Sequence, residues 1–217
     1  MNEFIDLTYP IEEGMPTFHA HWHPKVSIEQ LGKIEIEGRE SRKILFGTHT
    51  GTHVDAPLHF IPNGKSIDQI SLRKLNGKIT IIDFSSLDEN ASITKEMLQD
   101  KPISTKILFK FGWGKNWGSK KFYFGYPFFT KEAAEFLVSS NVELIAYDSP
   151  SPDDSRTKLG SDEDSLIHKI FLTNDIILVE YLANLDQVKD LQGWSISVNP
   201  LKIKSADGSP ARVFLFK

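Results

Sequence analysis

The 217-residue chain contains no cysteine. That excludes a disulfide framework and a thiolate metal site, so nitrogen and oxygen must supply every ligand to any bound ion. It also fits a cytoplasmic setting. No apolar run approaches the ~20 residues needed to cross a bilayer. The first residues, Met1-Asn2-Glu3-Phe4-Ile5-Asp6, lack the basic start and apolar stretch of a secretory signal. The expectation is a soluble, unexported protein with no membrane partner. A basic surplus is missing too. The formal net charge is −4, and no Lys/Arg cluster is interleaved with stacking aromatics, which argues against a nucleic-acid partner. Lys115, Lys120 and Lys121 come nearest and read as a solvated turn. With no internal repeat or linker and 40% hydrophobic content, the chain suits a single domain over residues 1–217.

Short β-rich runs are spaced along it. Phe4–Leu7, Lys43–Phe46, Lys78–Phe84, Lys106–Phe111, Glu143–Tyr147, Asp175–Glu180 and Arg212–Phe216 are branched or aromatic and bounded by Gly, Pro, Asn or Asp, as strands are. Between them, Thr130 is placed to cap a helix through Ser139, with Ala133, Phe136 and Leu137 at helical spacing. Ser161 with Asp164 resembles a capping box opening a second helix through about Ile170. This alternation predicts an α/β domain. The stretches Phe111–Phe129 and Ser149–Ser161 have no periodicity, and long ordered loops tend to border active sites.

One segment stands apart. Thr48-His49-Thr50-Gly51-Thr52-His53-Val54-Asp55-Ala56-Pro57-Leu58-His59-Phe60 holds three imidazoles and a carboxylate within eleven residues. Imidazole and carboxylate are the ligands zinc prefers, and manganese and iron accept the same mixture with more oxygen. The i, i+4 spacing of His49 and His53 could suggest a helix. Gly51 and the β-branched Thr48, Thr50, Thr52 and Val54 argue instead for a loop leading into a short strand. Gly51 permits a tight backbone and Pro57 stiffens the exit, while the threonine hydroxyls could orient the rings.

The pattern His49-x-Gly51-Thr52-His53-x-Asp55-x-Pro57-x-His59-Phe60 resembles the H-x-G-T-H-x-D-x-P-x-H-F signature of the Putative cyclase family, which includes bacterial kynurenine formamidases and isatin hydrolases. Further stretches resemble the same family: Phe111-Gly112-Trp113 with Trp117-Gly118, Tyr147-Asp148-Ser149-Pro150-Ser151, and His168-Lys169-Ile170-Phe171-Leu172 with Ile177 to Leu185. The resemblance implies a three-layer β/β/α swivelling-type domain with a mixed, largely parallel central sheet, in homodimers or homotetramers. It also implies two divalent metal ions, zinc first and manganese second. His49 and His53 would bind one ion, His168 the other, and Asp55 and Glu180 would bridge, with His59 the catalytic imidazole. Glu180 needs a reason on physical grounds as well. It ends the apolar strand Ile176-Ile177-Leu178-Val179, where a carboxylate is costly unless a cation or partner compensates it.

The implied activity is hydrolysis of a C–N bond in a small amide, aryl formamide or cyclic amide, by a metal-activated water with His59 as general acid/base. The alternatives are a cyclase or dehydratase using the same Lewis-acid site, or a metal-binding protein without turnover. The chain departs from its family near the N-terminus. Where aryl-formamide hydrolases carry a W-P-G-D-like segment, it has Met15-Pro16-Thr17-Phe18-His19-Ala20-His21-Trp22-His23-Pro24. Phe18 takes the place that contacts substrate, with Trp22 as the alternative, and Phe60 and Trp113 are further wall candidates. If extended, the segment would put His19, His21 and His23 on one face, as a substrate-pocket or interface loop or an extra metal site.

Overall fold

A computed structural model describes residues 3–18 and 20–217. In chain order the strands are β1 (Phe4–Asp6), β2 (Ser27–Gly32), β3 (Ser41–Leu45), β4 (His53–Asp55), β5 (Asn76–Lys78), β6 (Thr80–Asp83), β7 (Ser92–Ile93), β8 (Lys106–Lys110), β9 (Phe128–Phe129), β10 (Leu144–Tyr147), β11 (Ile177–Glu180), β12 (Ser195–Pro200) and β13 (Gly208–Phe216). The helices are α1 (Ile34–Glu37), α2 (Leu72–Leu75), α3 (Lys95–Gln99), α4 (Lys131–Ser139) and α5 (Leu166–Thr173). A nine-stranded mixed sheet runs β5-β12-β13-β4-β11-β10-β8-β6, with β1 added to β13. β6, β8, β10 and β11 are parallel neighbours, and β4 joins this half to the antiparallel strands by pairing with both β11 and β13.

Alternation along the parallel strands sorts side chains into two cores. Leu108, Leu144, Ala146, Ile177 and Val179 pack against Ile196, Val198, Val213 and Leu215 of β12 and β13. Ile107, Phe109, Ile145, Tyr147 and Leu178 face the opposite way, toward Leu98 of α3, Leu137 of α4 and Phe171 of α5. The layers are therefore β, β and α, as the resemblance implies. No helix among the described residues is long and apolar enough to cross a membrane.

The predicted α4 begins where expected, with Thr130 Oγ1 accepting the Ala133 N–H at 3.2 Å. The start of α5 differs from prediction. It opens at Leu166 after the left-handed Ser165 (φ 54°), and Ser161 lies in a turn upstream. Its first N–H groups are satisfied from a distance: Asp153 accepts from Ile167 N at 2.6 Å and His168 N at 3.3 Å. A remote carboxylate has displaced the local cap. The predicted strand Lys78–Phe84 is also divided. Lys78 ends β5, Ile79 donates its N–H to Trp194 O, and β6 begins at Thr80.

Candidate metal centre

The pairing of β4 with β11 sets the centre of the site. His53 lies opposite Glu180 and Asp55 opposite Leu178, so His53, Asp55 and Glu180 share the face that Leu178 turns toward the helices. Val54 and Val179 take the other face. His168, on the first turn of α5, reaches the same point from the helical layer. His53, Asp55, Glu180 and His168 are all buried.

Each carboxylate divides its oxygens between two sides. Asp55 Oδ1 lies 2.7 Å from His49 Nδ1 and 3.3 Å from His53 Nε2, while Oδ2 faces His168 Nε2 at 3.5 Å. Glu180 Oε2 lies 3.5 Å from His53 Nε2, and Oε1 lies 3.2 Å from His168 Nε2 and accepts from Tyr147 OH at 2.6 Å. Asp55 Oδ2 has no hydrogen-bond partner among the described residues. The His168 nitrogen, at 3.5 Å, is too far to satisfy it. Two donor sets with metal-ligand proximity result, His53–Asp55–Glu180 and His49–Asp55–His59.

Local structure aims these rings. His49 sits in the turn before β4, where Gly51 adopts φ +58° and a Cβ would come within 2.9 Å of Met15 Cε. His53 Nδ1 donates to Gly51 O at 2.7 Å, which leaves Nε2 toward the carboxylates. His59 ends a short 3₁₀ turn begun by Pro57, and its ring stacks on His49 with centroids 3.8 Å apart. Thr52 hydroxyl acts on backbone rather than on a ring, donating to Tyr181 O at 2.6 Å and accepting from Tyr9 N at 3.0 Å. It thereby holds Tyr181 at φ +58°, an unusual conformation beside a functional cluster, with its ring 5.2 Å from that of His53.

Two carboxylates in the cluster carried no signal in the sequence pattern. Asp153 Oδ2 contacts His168 Nδ1 at 2.5 Å while capping α5, so one residue fixes both the helix and the ring it carries. Asp207, just before β13, contacts His49 Nε2 at 2.8 Å and His59 Nδ1 at 3.2 Å. The only available hint for Asp153 was its place in the aperiodic stretch Ser149–Ser161, and for Asp207 the glycine that follows it.

Charge is concentrated here. Burial by itself would depress His49, but Asp55 and Asp207 outweigh it and raise its pKa to about 10. His168 is likewise raised against the cost of burial, by Asp153, Asp55 and Glu180. Asp55 is held well below the usual carboxylate range because His49 and His59 overcome its desolvation.

The aromatic candidates separate by position. Phe60 packs 4.3 Å from the His59 ring and 4.9 Å from that of His168. Phe18 meets Tyr123 edge-on at 6.4 Å, and Tyr123 borders Tyr181. Trp113 is buried in the helical-side core and donates to Phe122 O, so it is not a free wall. Trp22 is 67% exposed and touches the His21 ring. The extended arrangement of the histidine-rich segment is not found. Residues 21–23 form a turn in which His23 N donates to Ala20 O, and the His23 ring bonds to His49 O at 2.9 Å. His19 lies outside the described residues.

This fold and donor set define a metal-dependent hydrolase. The family model described as "Putative cyclase" matches residues 5–154, and the chain belongs to that family. It is 30% identical to a kynurenine formamidase of Bacillus cytotoxicus over 99% of this chain and 97% of that protein. Among solved structures it is similar to isatin hydrolase A from Ralstonia solanacearum, with a TM-score of 0.86 and 25% identity over 99% of this chain and 92% of the other. It is also similar to a structure described as a potential metal-dependent hydrolase with cyclase activity, with a TM-score of 0.77 and 26% identity over 100% of this chain and 98% of the other.

Proposed function

We propose that this chain, as one domain over residues 1–217, hydrolyses a C–N bond in a small amide, an aryl formamide or a cyclic amide, at a site holding two divalent ions. The observation that carries this reading is Asp55 Oδ2, a buried carboxylate oxygen without a hydrogen bond inside a cage of imidazoles. An anion left so is costly unless a cation compensates it, and a nitrogen–oxygen donor set without thiolate fits zinc, with manganese next. His49 and His53 would hold one ion and His168 the other, with Asp55 and Glu180 shared between them. The division of each carboxylate's oxygens between the two histidine sides supports that assignment. Such ions supply Lewis acidity, lowering the pKa of water and polarising a carbonyl.

The side chains supply the rest. His59 takes a proton from the attacking water and returns it to the departing amide nitrogen. Phe18, Phe60 and the Tyr123–Tyr181 pair hold a planar substrate and exclude bulk water, with Trp22 the alternative contact if the segment is reshaped. The hairpin of β2 and β3 exposes Ile44 and Leu45 beside Leu31, Ile34 and Ile36, which fits a homodimer or homotetramer. A cysteine-free chain fits the cytoplasm.

The test is metal analysis of the purified protein coupled to a screen of small formamides and cyclic amides in ¹⁸O-labelled water. We expect divalent ions, activity lost on chelation and restored by zinc or manganese, and solvent oxygen in the acid product. Turnover without solvent oxygen would move the reading to a cyclase or dehydratase, and metal without turnover to a binding protein.

Phe18→Ala should raise KM several-fold and leave metal content unchanged, since it removes binding common to ground and transition states. At 40% exposure it should cost little stability. A loss of ~3–5 kcal/mol with KM unchanged, the behaviour of a core aromatic, would remove Phe18 from the wall. Since the family's tryptophan is absent, N-formylkynurenine should be a poor substrate beside a smaller amide.

Removing the ions should also reverse the pH response. His49, raised to about 10, stabilises the metal-free fold fully below its unfolded pKa near 6.5 and loses that contribution as pH rises toward 10, and His168, also raised, contributes with the same sign. The melting temperature of the chelated protein should therefore fall between pH 6.5 and 9.5. Ions displace those protons, so the gain on loading should grow over the same range. A chelated protein whose melting temperature stays flat or climbs there contradicts this.

A further inference from the structure

Asp207 stands outside every ligand and proton-transfer role given above, yet one of its oxygens touches two of the histidines that carry them. Oδ2 lies 2.8 Å from His49 Nε2 and 3.2 Å from His59 Nδ1. The 3.8 Å stacking of the two rings, inclined by 29°, is what lets a single atom reach both. We propose that Asp207 is a positioning residue that fixes the proton of each stacked imidazole on the nitrogen facing it, leaving His49 Nδ1 for an ion and His59 Nε2 for the reacting proton. This rests on the roles proposed for His49 and His59.

An ionised carboxylate only accepts hydrogen bonds, so both nitrogens that face it carry hydrogen. A neutral imidazole has one N–H, and its lone pair is then on the other nitrogen. In His49 that other nitrogen is Nδ1, which in the metal-free cluster donates a second hydrogen to Asp55 Oδ1 at 2.7 Å and is the nitrogen an ion would take when that proton leaves. In His59 it is Nε2. A metal-binding histidine commonly donates its second nitrogen to a carboxylate in this way, and loss of such a partner typically costs 10–100-fold in metal affinity or activity.

The backbone holds Asp207 in place. Its carbonyl accepts from Ala56 N at 2.9 Å, one residue after Asp55, and Gly208 pairs directly with Asp55 across β4 and β13. Gly208 also makes the His49 position possible, since a Cβ there would come within 2.8 Å of His49 Cε1 and 2.7 Å of Val54 O. Asp207 is half-buried and its Oδ2 accepts from two ring nitrogens, as an ionised carboxylate does at neutral pH.

Long-range ¹H–¹⁵N spectra of the zinc-loaded protein report the histidine tautomers directly. The expected result is His59 protonated on Nδ1 in the unaltered protein, with Asp207→Asn shifting it toward Nε2–H. By chelator competition, Asp207→Asn should also lower zinc affinity 10–100-fold. On formanilide at saturating zinc its kcat should fall by at least ~10-fold with KM within about twofold. His59 protonated on Nε2 in the unaltered protein overturns the proposal, and that measurement needs no variant to fold. A kcat fully restored by excess zinc overturns it as well, since Asp207 would then act through His49 alone. So does a lowered kcat with no change of tautomer, which is the mark of a merely structural role. The tautomer and zinc readings need no turnover, so they stand even if no amide proves to be a substrate.

Discussion

Asp55→Ala is expected to abolish metal binding and activity together. Asp55 is 1% exposed, its Oδ1 faces His49 and His53, and its Oδ2 faces His168. Three imidazoles thus converge on one carboxylate. Solvent can replace its oxygens as donors but cannot replace the negative charge that the proposed pair of dications would need, and a water has no means of fixing the spacing of two ions. Asp55→Asn, which keeps the shape, should fail nearly as completely, because an amide presents one acceptor in place of two anionic oxygens. Removing one member of a buried charged cluster typically destabilises by ~3–5 kcal/mol, so the metal-free variants should also melt below the metal-free parent. Elemental analysis of the folded protein decides the point. Two ions at full occupancy in Asp55→Ala would remove Asp55 from the bridging position.

What the sequence discloses about this site follows from how far apart in the chain its residues lie. His53 and Asp55 are two apart on a strand and therefore share a face whatever the rest of the fold does, and Gly51 and Pro57 shape the approach and exit within the same stretch. That cluster is visible as a local pattern. Glu180 is visible for another reason, as a carboxylate that ends an otherwise apolar strand, and its burial against Tyr147 and His168 supplies the compensation such a position demands.

Asp153 and Asp207 are a different case. Asp207 reaches His49 across 158 residues and Asp153 reaches His168 across 15, and both contacts depend on how separate elements meet. A lone Asp in a polar stretch has no feature that marks it as the partner of a distant ring. The same limit explains the start of α5, where Ser161 and Asp164 have the form of a capping box but Asp153 satisfies the helix N–H groups instead. It explains the strands as well. The hydrophobic runs of β8, β10 and β11 are buried on both faces and stand out, whereas β12, Ser-Ile-Ser-Val-Asn-Pro, has only Ile196 and Val198 facing a core. Such weak alternation becomes a strand only when β13 and β5 pair with it.

His59→Ala is expected to keep the ions and the fold and to lose at least ~10²-fold in turnover, the usual contribution of a positioned general acid/base. The geometry makes this a sharp question, because His59 lies close enough to His49 and Asp55 to join a donor set with them. Against ligation, its ring makes no hydrogen bond or ion pair with Asp55 or Glu180, whereas His49, His53 and His168 each contact one or both of these carboxylates. Its ring is also the most open of the cluster's histidines, at 27% exposure, as a group that exchanges protons with substrate and solvent should be. Partial exposure also limits the structural cost of truncation to the stacking on His49 and the contact with Phe60. Metal content and kcat measured on the same preparation separate the two roles. Loss of turnover with both ions retained is the expected outcome. Loss of an ion in parallel with turnover would make His59 a ligand, and the proton would then need another carrier.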